Sequence, residues 1–289
     1  MNTRFRNSVR YWRTPLLPGA DMVTAEYLDH EFAPHWHDAY TIPVIEAGAE
    51  MYDYRGSLHV AETGTVPVIN PGELHTGSRA TEDGWRYRVG YVPVDFVQRL
   101  ADDIAGRPQP LPWFPAETIR DPDLARRVLR AHRLLEAGGD PRGGHPPGGD
   151  PRGGDPLAAE AALIDAISTL IVRHASTDPQ PARLAADNPR IETMKARLTA
   201  DLAEPLTLTE LAQAVDLSAF HAARLFTRAT GLAPHAWRNQ VRLQRALGPL
   251  RAGVSVAEVA AASGFTDQSH FTRHFRRMFG VPPGRWQSP

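Results

Sequence analysis

The 289-residue chain contains no cysteine. That absence excludes a disulfide framework and a thiolate metal site, and it points to a reducing compartment. No apolar run approaches the roughly 20 residues needed to span a bilayer, so no membrane partner is expected. The opening stretch MNTRFRNSVRYWRTP has no apolar core of the kind a signal peptide carries; a cytoplasmic protein is the expectation. A phosphate-binding Gly-rich loop, a nucleophile motif and a phosphate-accepting receiver pattern are all missing. Lysine is nearly absent from the last hundred residues, where Lys195 is the only one.

What is present is ordinary in bulk: 42% hydrophobic and 22% charged residues, in a chain long enough for two cores. The net charge of -1 hides a split. From Arg190 onward there are 13 Lys+Arg against 7 Asp+Glu, a net of +6. The preceding part therefore carries a net of -7. A basic end on an acidic body suggests one part for a polyanion and another for a different task.

Residues 23–94 read as short β-branched and aromatic strands broken by Gly, Pro and Asp turns, the pattern of a small barrel or jelly roll. Helical periodicity follows at 121–137 and 157–175, the second with Leu163, Ile164, Ile167, Leu170 and Ile171 on one face. Between them, GGDPRGGHPPGGDPRGGDP (138–156) has almost nothing to bury and is expected as a disordered loop joining two antiparallel helices. Residues 176–189 read as a linker. Helices are expected near 190–203, 207–215, 218–229, 233–251, 255–262 and 267–278, with Thr207, Ser218 and Asp267 as N-caps.

Two segments share one plan. LTLTELAQAVDLSAFHAARLFTRATG (206–231) and VSVAEVAAASGFTDQSHFTRHFRRMFG (254–280) each hold a short helix, a tight turn and a second helix. Leu211 matches Val259, Ala212 matches Ala260, Leu217 matches Phe265, and Phe226 matches Phe275. In the second segment Phe271, Phe275 and Phe279 fall four apart on one stripe, with Gln268, Ser269, Thr272, Arg273 and Arg276 on other faces. A helix apolar behind and polar in front suits the major groove of DNA, although a merely solvated basic helix has the same pattern.

ELAQAVDLS, RLFTRATGLAPHAWRNQVRLQRA and VAEVAAASGFTDQSHFTRHFRRMFGVPPGRW give residues 190–289 a definite resemblance to the DNA-binding domain of AraC/XylS transcription regulators. The resemblance implies two helix-turn-helix units, 207–229 and 255–278, tied by a long helix at about 233–251. It places Phe220, Ala223 and Arg224 of the first recognition helix, and Gln268, Ser269, Thr272 and Arg273 of the second, towards bases, with Arg276 nearer phosphate. Arg suits guanine and Gln adenine. Three departures stand out: Ala222 where the family usually buries Leu, Gly248-Pro249 late in the linking helix, and Asp267 as a cap rather than a base reader.

PHWHDAYTIPVIEAG and GTVPVINPGELHTG resemble, over about residues 20–95, the cupin-type sensor domain of such regulators. His35 and His37, alternate residues of one strand, share a face and could converge with His75. Trp36, Glu73, Trp85, Tyr87 and Tyr91 are candidates for the same small-molecule cavity, although β-barrel cores use these residue types too. Three imidazoles are a metal-binding set, but the acidic ligand of metal cupins is replaced by Tyr40 or Thr41, and the resemblance implies an effector bound without a metal.

The resulting expectation is two domains: a cupin-like β-barrel with a helical pair (1–175), and an all-α double helix-turn-helix (190–289). It describes a non-enzymatic transcription regulator that binds double-stranded DNA and a small-molecule effector, forms a homodimer through the helical pair, and meets RNA polymerase if it activates. The rivals are a metal-dependent cupin enzyme fused to a DNA anchor and an effector-independent repressor.

Overall fold

The computed structural model describes residues 7–137, 156–176, 189–204, 206, 208–217 and 219–288, without the side chains of 156, 157, 209, 219–221 and 224. The expected Gly/Pro loop (138–156) and linker (176–189), apart from residues 156, 176 and 189, and the caps Thr207 and Ser218 lie outside this set. The chain divides into two compact units, Met1–Asp178 and Pro179–Ser288.

Seven strands build the first unit: β1 (Ser8–Trp12), β2 (Asp21–Tyr27), β3 (Phe32–His35), β4 (Tyr40–Tyr54), β5 (Ser57–Glu62), β6 (His75–Arg79) and β7 (Trp85–Val92). The order is β1-β2-β7-β4-β6-β3, with β5 also on β4, and every pairing is antiparallel. The result is an antiparallel half-barrel. Three helices accompany it: α1 (Val94–Ala105), α2 (Pro122–Ala137) and α3 (Pro156–His174). Strand β1 and helix α1 were not expected from the sequence. Conversely, most of GTVPVINPGELH is not a strand. It touches the sheet through an isolated bridge at Thr41–Ile69 and the segment before α2 through one at Val66–Ile119, and β6 starts only at its last residue, His75.

Strand β4 serves two layers by alternation. Tyr40, Ile42 and Val44 join Met22 and Val92 in one core with Val97 of α1, Leu124 and Val128 of α2, and Leu163, Ile167 and Leu170 of α3. Thr41 and Pro43 face the other way, opposite Tyr91 and Val89 of β7. A bulge between Ile45 and Ala47 inserts one residue. Parity therefore flips, and beyond it Glu50 and Tyr52 face that second side.

The second unit is helical: α4 (Pro189–Thr199), α5 (Leu208–Gln213), α6 (Ala219–Thr230), α7 (Pro234–Arg251), α8 (Val256–Ala262), α9 (Gln268–Phe279) and α10 (Pro283–Gln287), the last of them unexpected. Leu211, Ala212 and Phe226 pack with Ile191, Met194 and Leu198 of α4, and Ala222 is fully buried where a larger side chain was the family expectation. The Phe ladder is interior: Phe265, Phe271, Phe275 and Phe279 meet edge-on or tilted, with successive ring centroids 5.2, 5.5 and 4.4 Å apart. Trp286 of α10 closes it, 5.9 Å from Phe275. Pro249 is carried inside α7, which continues to Arg251.

The two turns are built alike. Leu217 N–H donates to Ala212 O and Phe265 N–H to Ala260 O, both at 3.1 Å. Each is preceded by a left-handed residue, Asp216 with φ 52 and Gly264 with φ 74. Aspartate tolerates that region better than most side chains. At 264 only glycine fits, because a Cβ there would lie 2.2 Å from the Leu202 carbonyl oxygen and 2.8 Å from Arg242 Nη2. Gly264→Ala should therefore destabilise the second unit by more than the ~1–3 kcal/mol of left-handed strain alone, whereas Asp216→Gly should be tolerated. Urea unfolding of residues 179–288 checks both.

Candidate effector cavity and nucleic-acid interface

The face of β4 and β7 turned from the helices lines a cavity with Phe32, His35, His37, Glu50, Tyr52, Ile69, His75, Tyr87 and Tyr91 in its wall. It holds about 470 Å3 of empty space counted out to its open mouth, and no Lys or Arg lines it. Its most concentrated chemistry is the histidine triad. His35 ends β3 opposite His75, which begins β6. His37 lies past the end of β3 rather than on the same strand, in a loop tied down by Gly72 N–H donating to His37 O at 2.8 Å. Ring centroids are 4.3 Å apart for His35–His75, 5.0 Å for His35–His37 and 5.4 Å for His37–His75.

All three rings are buried. Burial pushes His35 down to about 4 despite its bond to the Ala33 carbonyl. It also holds His37 and His75 well below the ordinary imidazole value, with the neighbouring rings adding to the effect. The triad is thus neutral at pH 7. The Tyr91 ring lies 4.4 Å from His37 at an interplanar angle of 45°, and Tyr87 adjoins Tyr27 and Trp85.

Three candidates from the sequence are not among the residues that line the cavity. The Glu73 carboxylate is an ion-pair partner of Arg55, at 2.7 Å from Nη2, and accepts from Tyr54. Trp36 and Trp85 are buried without lining the cavity. Glu50 was missed. It lines the cavity, no hydrogen bond reaches it among the described residues, and burial raises its carboxyl to about 8. Its only sequence signal was parity, which the bulge hides.

The polar face of α9 is the second candidate site. Asp267 caps the helix by accepting from His270 N–H at 2.7 Å. Gln268, Ser269, Arg273 and Arg276 are exposed and Thr272 is half-exposed, over the buried Phe stripe. On α6, Ala223 is half-buried, while the side chains of Phe220 and Arg224 lie outside the described residues. Two basic residues counted towards a polyanion are internal clamps instead. Arg238 donates to the carbonyls of Leu198, Asp201 and Glu204 at 3.1, 2.6 and 2.6 Å, and Arg242 donates to Leu202 O at 2.6 Å. They satisfy the carbonyls at the end of α4 and in the following turn.

Residues 17–167, more than half of the chain, match the family model of the AraC-like ligand binding domain, and residues 211–288 match that of a helix-turn-helix domain. The chain belongs to the AraC family. It is a transcription regulator with a ligand-binding and a DNA-binding domain. It is similar to the HTH-type transcriptional activator RhaS of Salmonella schwarzengrund, 25% identical over 87% of this chain and 86% of that one. Regulator YbfI of Bacillus subtilis is 24% identical over 83% and 81%. Among solved structures, ToxT from Vibrio cholerae shares the fold at a TM-score of 0.51 and 11% identity, covering 99% of this chain and 97% of that one. A ToxT structure with unsaturated fatty acid bound gives 0.52 at 13% identity, covering 99% and 95%.

The Glu50 carboxyl makes a testable contribution to stability. Its folded value of about 8 lies above the ordinary 4.5. Protonation therefore favours the folded state, and its stabilising effect is full below about pH 4.5 and lost as pH rises to about 8. Glu50→Gln should be more stable than the wild type above pH 8, with the gap closing towards pH 5. Urea midpoints of the two proteins across that range are the check.

Proposed function

We propose that the protein is a one-component regulator whose cavity, walled by His35, His37, His75, Tyr87 and Tyr91, binds a small-molecule effector, and whose α9 reads operator DNA. The observation that carries the DNA half is the α9 face: Gln268, Ser269, Thr272 and Arg273 stand clear of a buried aromatic stripe. Arg273 and Gln268 bring the bidentate donors that base edges require, and Arg276 sits nearer phosphate. Phe220, Ala223 and Arg224 on α6 supply the second contact. The cavity supports the effector half by a wall that joins aromatic and aliphatic side chains with convergent imidazole, hydroxyl and carboxyl groups.

The similarity to RhaS, named an activator, supports activation and with it a contact to RNA polymerase. Homodimerisation is read from α3, where Ile164 and Val172 are exposed. Relatives that are regulators support a non-enzymatic role. No helix among the described residues is long and apolar enough to cross a membrane, which is compatible with a cytoplasmic location.

Fluorescence anisotropy on the chain's own promoter region tests the interface. Arg273→Ala should cost about 1–3 kcal/mol on the cognate site and little on random DNA. Arg276→Ala should weaken both equally and reduce the salt slope by about one. Equal losses on both DNAs for Arg273→Ala would reduce that residue to a backbone contact.

A further inference from the structure

We infer that His35, His37 and His75 form a binding site for a divalent transition-metal ion of the zinc, iron or nickel class, with one coordination position open to the cavity. Each ring offers a nitrogen, and these nitrogens lie within 4.8 Å of one another. A tetrahedral ion with Zn–N bonds of about 2.0–2.1 Å needs its nitrogens roughly 3.3 Å apart. Binding would draw the nitrogens together by up to about 1.5 Å.

Main-chain oxygens support the assignment independently. His35 Nδ1 lies 2.7 Å from the Ala33 carbonyl and His75 Nδ1 3.2 Å from the Glu73 carbonyl. A carbonyl can only accept, so in both rings Nδ1 carries the proton and Nε2 keeps its lone pair. That is the outer hydrogen bond that orients metal-ligating histidines and fixes their tautomer. The Glu73 carbonyl is itself steadied, because the Glu73 side chain is held by Arg55 and Tyr54.

The donor type selects the metal class. Three imidazoles suit zinc, iron, nickel or copper, and they do not suit calcium or magnesium, which take oxygen ligands. No Lys or Arg on the wall opposes a cation. Thr41, Tyr91 and Glu50 line the same cavity, and the Tyr91 ring lies 4.4 Å from His37. Gly77, two residues beyond His75, leaves room there: a Cβ on it would fall 2.6 Å from Glu50 Oε1. Three protein ligands leave a fourth position for water or for an oxygen or nitrogen donor of the effector, such as a carboxylate, hydroxyl or amine. In that last respect the inference rests on the effector reading of the cavity; the metal site does not.

The test uses the full chain without an affinity tag, stripped with chelator and titrated with Zn2+ and Co2+. The expected result is saturation at about one ion per chain, visible absorption from Co2+ in an imidazole field, and a melting temperature that rises with Zn2+. His75→Ala should lose all three signals. His37→Gln, altered in the loop rather than at a strand end, should lose them too and serves if His75→Ala does not fold. The double variant His270→Ala/His274→Ala removes a pair of rings on α9 that lie 4.7 Å from each other and should bind metal as the wild type does. Binding of less than a stoichiometric ion, or unchanged Co2+ absorption in folded His37→Gln, would overturn the inference. Promoter binding of the stripped wild type is measured alongside. If a folded, stripped protein fails to bind promoter DNA, the regulator reading fails. If it binds DNA and responds to an effector without taking up metal, only the metal inference fails.

Discussion

The pairing of β4 with β7 is the constraint on which the rest of the ligand-binding unit depends. Thr41 opposite Tyr91 and Pro43 opposite Val89 point into the cavity, while Ile42 and Val44 point into the helical core. A slip of one residue would exchange these faces, turning Thr41 into the helical core and Ile42 into the cavity. The bulge at Ile45/Ala47 uses that sensitivity, turning Glu50 and Tyr52 inward on the far half of the same strand. One fifteen-residue strand thereby supplies both the scaffold and two parts of the cavity wall.

In the DNA-binding unit the equivalent constraint is the left-handed residue between the helices of each pair. It lets the chain turn within a few residues while the N–H of the following hydrophobic residue still reaches back into the first helix. Asp216 and Gly264 achieve this by different chemistry, and only Gly264 also leaves space for the Leu202 carbonyl and Arg242. Once the turns are set, the Phe ladder fixes which face of α9 is left for a partner.

The DNA-binding unit was largely legible in the sequence, because its helices follow a local period and its turns carry local chemistry. The spacing of Phe271, Phe275 and Phe279 and the Gly264-Phe265 step lead directly to what the structure shows. The roles of Arg238 and Arg242 were not legible, since a buried guanidinium reads as surface charge until its carbonyl partners are known. In the ligand-binding unit, strand pairing is non-local. The histidine triad could be expected to converge, though for the wrong local reason, as His37 lies outside β3. Trp36, Trp85 and Glu73 have the residue types of a cavity wall, and only the tertiary structure shows Trp36 in the loop after β3, Trp85 at the start of β7 against Tyr27 and Tyr87, and Glu73 paired with Arg55. Glu50 failed in the opposite sense, hidden by a bulge that no single residue announces.

The central claim is that the cavity of one unit controls DNA binding by the other. The most direct measurement is an effector titration of promoter DNA binding by wild-type and His37→Ala proteins, using a metabolite found by thermal shift. The account predicts that folded His37→Ala keeps basal DNA affinity and loses the response. An effector response of unchanged amplitude and midpoint in folded His37→Ala would contradict it.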